Sequence, residues 1–259
     1  MSYVASVLDG PVATITFDNP ERRNALSASL LEELAQAVTA LDGDVRVAIL
    51  RARPGVSIWS AGHDITELPS DGSDPLTWTN PLEACFRAIR RAPFPVIAAV
   101  EGSVWGGATE LALSCDLVVA LRSVTFAITP AKLGIPYNTE GVSRFVEALP
   151  LNLVRELFFT AAPMSAEVFA SHGAINRLVD DGAELTATAQ QLADHIATLS
   201  PLAIAAIKAE ISTLTDARSV NSEQFEHLAG LRQAAWRSYD YQAALAAFKD
   251  RKTPTFNGS

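Results

Sequence analysis

The sequence predicts an α/β fold whose last third is helical. Three continuous apolar runs point to strands covered on both faces: Val47-Ala48-Ile49-Leu50, Pro95-Val96-Ile97-Ala98-Ala99-Val100 and Leu117-Val118-Val119-Ala120. Helical patterns separate these runs, as strand–helix units require. From about residue 141 onward the pattern turns mostly helical. With 259 residues, 49% of them hydrophobic, the chain can bury one large core, or a core with a helical appendix.

In chain order, Val12-Ala13-Thr14-Ile15-Thr16-Phe17 alternates as a half-buried strand and ends in the turn Asp-Asn-Pro. Ser27 or Ser29 then starts a helix. Ser29 with Glu32 fits a capping box, Leu30, Leu34, Val38 and Leu41 form one face, and Gly43 marks a stop. Residues 65–80, rich in Pro, Gly, Ser and Asp, read as an exposed loop, and a helix is expected around 81–90. The stretch from Thr125 to Asn138 holds two prolines and a glycine, which predicts a loop with a short helical piece. Ser165 caps a helix ending near Gly173. Ser200-Pro201 is a strong helix start, with Ser at the N-cap and Pro at the first helical position. Two more helices are expected over 222–236 and 239–250.

The chemistry concentrates in two glycine-framed turns, Ser60-Ala61-Gly62-His63-Asp64 and Gly102-Ser103-Val104-Trp105-Gly106-Gly107-Ala108-Thr109-Glu110, each just after a buried run. Glycine allows a sharp turn and close approach of a ligand to peptide N–H groups, and the second turn opens a helix, whose first N–H groups lack partners. Two such turns facing one another make a two-donor pocket for an oxygen that becomes negative during a reaction. The amide of His63 is the first donor, its ring lining the pocket. A metal role for His63 is disfavoured, because no second ligand stands at suitable spacing apart from adjacent Asp64. Asp64 most simply stabilises its own turn. Glu110 either favours the helix dipole or faces the site as an acid or base. Thr129 and Tyr137 lie in the proline-containing loop. There is no Gly-x-Ser-x-Gly elbow, Walker loop or GxGxxG fingerprint.

A net charge of −9, from 20 basic and 29 acidic residues without a long basic run, argues against nucleic acid as a partner. Apolar stretches are interrupted well short of a membrane span, and no secretory signal is read at the N-terminus. Cys85 and Cys115 form no CxxC and read as buried free thiols. A cytoplasmic protein is expected.

In combination, Arg23-Asn24-Ala25-Leu26, Ser60-Ala61-Gly62-His63-Asp64-Ile65, the Gly106-Gly107 turn and Ser200-Pro201-Leu202-Ala203 with Lys208 resemble the crotonase (enoyl-CoA hydratase/isomerase) superfamily over nearly the whole chain. The resemblance implies a spiral of ββα units over residues 1–195 and a helical C-terminal trimerisation region over 196–259, assembled as a homotrimer or a hexamer of two trimers. It implies a CoA thioester with its carbonyl oxygen between the amides of His63 and Gly107. Adenine and pantetheine contacts are implied near Ala25 and Ala61, and Arg251 of the tail, from this or a neighbouring subunit, is placed towards the CoA. Stretches beginning at His63, Glu101 and Thr129 resemble, more narrowly, members that decarboxylate methylmalonyl-CoA.

The departures choose among reactions. A hydratase of this superfamily uses two glutamates on a water. Glu110 matches the first, and Pro130 stands where the second should fall. Decarboxylation needs no such pair, because the oxyanion donors stabilise the enolate left by CO₂. The expected reaction is therefore decarboxylation of methylmalonyl-CoA, or of a related malonyl-type thioester, to propionyl-CoA without biotin, metal or other cofactor, the CoA being part of the substrate. Tyr137 or Thr129 orients the substrate carboxylate or guides a proton to the α-carbon. The alternatives are a short-chain enoyl-CoA hydratase relying on Glu110 alone, and a non-catalytic acyl-CoA-binding or scaffold subunit.

Overall fold

The computed structural model describes residues 2–41, 43–217 and 220–258. Among the described residues, ten strands and ten α-helices follow one another as β1 (Val4–Asp9), β2 (Val12–Phe17), α1 (Ala28–Thr39), β3 (Val47–Ala52), β4 (Ile58–Ser60), α2 (Pro81–Arg91), β5 (Val96–Val100), β6 (Ser103–Trp105), α3 (Gly107–Leu113), β7 (Leu117–Leu121), β8 (Thr125–Ala127), α4 (Thr139–Ala148), α5 (Leu151–Thr160), β9 (Met164–Ser165), α6 (Ala166–Ser171), β10 (Arg177–Val179), α7 (Gly182–Ala197), α8 (Pro201–Asp216), α9 (Ser222–Trp236) and α10 (Tyr239–Lys249). The main sheet has the order β1-β2-β3-β5-β7-β10, antiparallel only between β1 and β2. A second sheet has the order β4-β6-β8-β9. Each passage thus runs a long strand in the first sheet, a three-residue strand in the second and a helix back: β3-β4-α2, then β5-β6-α3.

The three continuous apolar runs are β3, β5 and β7, central in the main sheet and covered on both faces. One face joins α1 and α2 in the larger core, around Leu50, Ala98, Phe86 and Leu34. The other is covered by α7, whose Leu185, Ala189 and Ala193 recur every four residues along one stripe. No single helix among the described residues is long and apolar enough to cross a membrane.

Several expectations need correction. Ser27 caps α1, its Oγ accepting from the Leu30 amide, and Ser29 lies inside the first turn, so the Ser29–Glu32 capping box does not form. The helix stops at Thr39, with Ala40 as C-cap, three residues before Gly43. β1 has no buried face for a pattern to reveal. It is an edge strand held by its ladder to β2 across the two-residue turn Gly10-Pro11. Beyond residue 141 the chain still contributes β9 and β10, which close one edge of each sheet. Residues 65–80 are not simply exposed. Arg232 binds Asp74 at 2.8–2.9 Å, Gln233 donates to the Gly72 carbonyl and the Tyr241 hydroxyl donates to the Pro69 carbonyl, so α9 and α10 fasten this loop to the body. The loop's polar composition serves these bonds as well as water.

The C-terminal helices are anchored by Lys208 on α8. Only 7% exposed, its ammonium donates to the carbonyls of Ile89 (3.0 Å) and Phe94 (2.9 Å) and to Asp116 Oδ2 (2.7 Å). An ammonium has three donors, and here all three are spent. Lys208→Met leaves two carbonyls and a carboxylate unmatched and is expected to destabilise the protein by about 3 kcal/mol. Urea unfolding measures this, and an unchanged midpoint would remove Lys208 from the anchoring role.

Candidate active site

Both glycine turns sit where a strand of the second sheet ends. In the first, Ser60 Oγ donates to the Asn24 carbonyl (2.6 Å) and accepts from the Gly62 amide (3.2 Å). The Leu26 amide donates to Gly62 O (2.8 Å) and the Asp64 amide to Leu26 O (3.3 Å), which bridges His63 to Leu26 in parallel fashion. The bridged residue of such a pair turns its own N–H away from its neighbour. Among the described residues, no acceptor engages the His63 amide. Gly62 has φ +83°, and a Cβ there would land on the Trp105 carbonyl oxygen, so only glycine lets the first turn lie against the second.

In the second turn, Gly106 is the N-cap of α3 and Gly107 its first residue. The Gly107 N–H has no intrahelical acceptor by position. A Cβ on Gly107 would stand 3.9 Å from the His63 amide nitrogen. The two unengaged amides therefore border one space, a cleft that opens to solvent.

Its walls are mostly apolar: Leu68, Leu76 and Leu82, with Pro130, Leu133, Ile135 and Trp236. Pro130 is on the wall, as are Thr129 and Tyr137. Among the lining residues, Glu110 is the one acid and His63 the one base. Burial lowers the His63 pKa against the pull of Asp64, so its ring is neutral at pH 7. Asp64 stabilises its turn, accepting from the Thr66 amide (3.0 Å) and hydroxyl (2.7 Å) and from Arg22 (2.8 Å). Thr129 Oγ1 has no hydrogen-bond partner among the described residues. The Trp236 indole N–H and His63 Nδ1 are buried and likewise unpartnered.

Glu110 is 1% exposed, and both of its oxygens are taken. Oε1 accepts from Arg144 Nη1, and Oε2 accepts from the Tyr137 hydroxyl at 2.7 Å. Arg144 also reaches Glu83, with Nη2 donating to Oε2 at 2.8 Å, and Asn138 Nδ2 donates to Glu83 Oε1 at 2.5 Å. Burial pushes the Glu110 carboxyl up to about 7, against the opposing pull of Arg144. Burial, then the neighbouring charge of Glu110, raises the Tyr137 phenol. Glu83 is thus a second carboxylate close to Glu110. It is 2% exposed, tied to Arg144 and Asn138, and not on the cavity wall, so it does not supply the acid missing at Pro130.

Of the residues singled out in the sequence, Ala61, His63, Gly107, Glu110, Thr129 and Tyr137 come together on the cavity. Ala25 is buried behind the wall, in the loop that hydrogen-bonds to the first turn. Arg251 lies exposed beyond α10 and is not on this cavity within the protomer. Sequence reasoning missed Arg144, Glu83, Asn138 and Trp236. Arg144 had a readable signal, since it shares the buried face of α4 with Gly141 and Phe145, where a lone cation is out of place. Trp236 gave none, being one aromatic among many helical positions.

The comparisons agree with this geometry. The family model described as Enoyl-CoA hydratase/isomerase matches residues 8–259. The chain is 42% identical over 257 residues to methylmalonyl-CoA decarboxylase of Escherichia coli (strain K12), covering 99% of this chain and 98% of that one. It is 33% identical to carnitinyl-CoA dehydratase of Salmonella heidelberg (strain SL476), covering 96% of each. A crystal structure of methylmalonyl-CoA decarboxylase complexed with 2S-carboxypropyl-CoA superposes with a TM-score of 0.97 at 42% identity, covering 100% of this chain and 99% of that one. The fold, the paired amides and these matches together make the chain a member of the enoyl-CoA hydratase/isomerase family.

Proposed function

We propose that this chain is a carboxy-lyase that converts methylmalonyl-CoA to propionyl-CoA. The observation that carries the proposal is a pair of unengaged amides, His63 and Gly107, on an apolar cavity whose one acid has both oxygens bound. The 42% identity to a decarboxylase of that substrate supports it.

The thioester carbonyl oxygen accepts from both amides. As the bond to the carboxylate carbon breaks, its electron pair moves into the carbonyl, CO₂ departs and the enolate oxygen carries the charge between the two donors. A proton then joins the α-carbon, so one proton is consumed for each CO₂ released. The unpartnered Thr129 hydroxyl on the wall relays that proton, giving its own to the α-carbon as it takes one from solvent water entering the open cleft. Tyr137 directs its single O–H at Glu110, so its oxygen offers the substrate carboxylate no donor. Such a donor would favour the charged carboxylate over the departing neutral CO₂ and slow the reaction. The amides serve as the electron sink, so the proposed chemistry calls for no biotin or metal. The reading places adenine and pantetheine near Ala25 and Ala61, and Arg251 near the CoA of its own or a neighbouring subunit. The two buried thiols, Cys85 and Cys115, suit a reducing cytoplasm.

Hydration fits less well. A water needs a carboxylate free to take its proton, and Glu110 is held at both oxygens. A scaffold subunit has no use for paired donors aimed at one point.

The proposal includes a homotrimer, or a hexamer of two trimers, built through the C-terminal helices. α8 and α9 leave Leu202 (83%), Leu214 (75%), Ile211 and Leu231 exposed, an apolar extent unusual for a monomer surface. Light scattering should give three or six times the 27.6 kDa chain mass, and a monomer would refute the assembly.

Purified protein with methylmalonyl-, malonyl- and crotonyl-CoA should release propionyl-CoA from the first, with no loss after EDTA and avidin treatment. Absence of propionyl-CoA rejects the function, and loss on EDTA or avidin rejects the cofactor-free mechanism. Three variants divide the roles. Gly107→Pro removes one N–H at a helix position that tolerates proline and should cost roughly 10²–10³-fold in kcat. His63→Ala keeps its amide and should cost less. Thr129→Val should lose about 10²-fold, in the range for a lost proton carrier. A folded Gly107→Pro variant with wild-type turnover would falsify the two-donor arrangement.

A further inference from the structure

Five polar side chains from three parts of the chain close into one buried ring. Asn138, the N-cap of α4, donates to Glu83 of α2. Arg144 of α4 joins Glu83 to Glu110 of α3, and the Tyr137 hydroxyl returns to Glu110 from the residue next to Asn138. The Tyr137 ring itself is fixed edge-on to Phe158 at 5.1 Å and Phe145 at 6.0 Å. It also lies so close to the first turn of α4 that a Cβ on Gly141 would overlap it. The phenol therefore has little freedom except rotation of its O–H.

We infer that Arg144 is a positioning residue for the reaction: by pairing with Glu110 it keeps that carboxylate an acceptor, and so holds the Tyr137 proton turned away from the substrate. The inference rests on the decarboxylase reading and deepens it. Two carboxylates, Glu83 and Glu110, share this buried space with one guanidinium. Without the cation, like charges face each other out of water, and one carboxyl takes up a proton. Glu110 is already the group that burial pushes up. Once protonated, it donates to the Tyr137 oxygen, and the phenol proton becomes free to point into the cavity. There it would bind the substrate carboxylate, an interaction that weakens as CO₂ leaves. A contact stronger in the ground state than in the transition state tightens binding and lowers turnover. Arg144 is not itself on the cavity wall, and acts only through Glu110 and Tyr137.

The test compares wild type, Arg144→Met, Tyr137→Phe and the double variant with methylmalonyl-CoA, after thermal melting has shown each to be folded. Arg144→Met should lower kcat roughly 10–100-fold, as for one hydrogen bond to a charged group, and lower KM along with it. Tyr137→Phe alone should cost less than about tenfold. The double variant should run at the Tyr137→Phe rate, faster than Arg144→Met, because the freed donor is gone. A raised KM in Arg144→Met, or a double variant slower than both singles, overturns the inference. Should Arg144→Met not fold, Arg144→Gln in the same cycle carries the same expectations. A crystal structure of either variant gives a second readout, independent of the reaction. A reversed hydrogen bond is expected by neutron diffraction, with a proton on Glu110 Oε2 directed at Tyr137 Oη and the phenol proton turned towards the cavity. A Tyr137 proton still directed at Glu110 across the 2.7 Å contact refutes it. Failure of the wild type to release propionyl-CoA would instead strike the decarboxylase reading, while this structural readout would still decide the role of Arg144.

Discussion

Everything at this site depends on two peptide N–H groups that the fold leaves without partners. Buried backbone donors are almost always satisfied, since an orphan costs on the order of 1–3 kcal/mol. Here each is freed by a definite device. His63 is paired to Leu26 through the groups of its neighbours, Gly62 and Asp64, so its own amide faces outward. Gly107 is the first residue of a helix, where no preceding turn exists to accept its bond. The remaining structure keeps these devices rigid. Ser60 and Asn24 lace the first turn to the loop before α1, and the Gly106 amide is fixed to Ala127 of β8 at 2.7 Å. Donors held in place by the fold need no reorganisation when charge appears between them, which is what makes them effective.

The second constraint is what the cavity withholds. Water addition and decarboxylation can share the same amide pair, because both pass through a thioester enolate. They differ in the acids and bases around it. In this chain Pro130 presents only apolar surface on the wall, and Glu110, though on the wall, is enclosed by Arg144 and Tyr137. A buried carboxylate of this kind must be paired, and the pairing that makes its burial tolerable also occupies both of its oxygens. In the decarboxylase reading proposed above, reaction choice therefore rests on a structural ion network as much as on the groups that face the substrate.

How much of this was legible in the sequence follows from how local each feature is. β3, β5 and β7 were readable because both their faces are buried, so the apolar run is unbroken. The helices over 222–236 and 239–249 were readable from their own composition and caps. β4, β6, β8 and β9 are two or three residues long, too short for any period to show, and β1 exposes nearly all of its side chains. The two turns were found because glycine spacing is a local signal. Their convergence was not local, and only the packing of Gly62 against Trp105 settles it. Arg144 and Glu83 lie 61 positions apart, and nothing in either neighbourhood names the other. The resemblance to the superfamily supplied the oxyanion assignment, yet it supplied nothing about the ion network behind Glu110.

The C-terminal helices complete the cavity, which changes how their role should be understood. Trp236 of α9 is fully buried and lies on the cavity wall, stacked edge-on to Tyr241 of α10 at 4.8 Å. Arg232, Gln233 and Tyr241 hold the loop that carries Leu68 and Leu76, two further wall residues. Lys208 fastens α8 to the end of α2 and the start of β7. A helical region that only joined subunits could be loosened without touching the chemistry. Here the same region bounds the space where the carboxylate must lose its charge. Loosening it admits water, and water supplies to that carboxylate the very hydrogen bonds that the fixed Tyr137 withholds. The C-terminal helices and the chemistry are therefore coupled through the apolar wall: whatever steadies α9 and α10 also limits the water that reaches the substrate carboxylate.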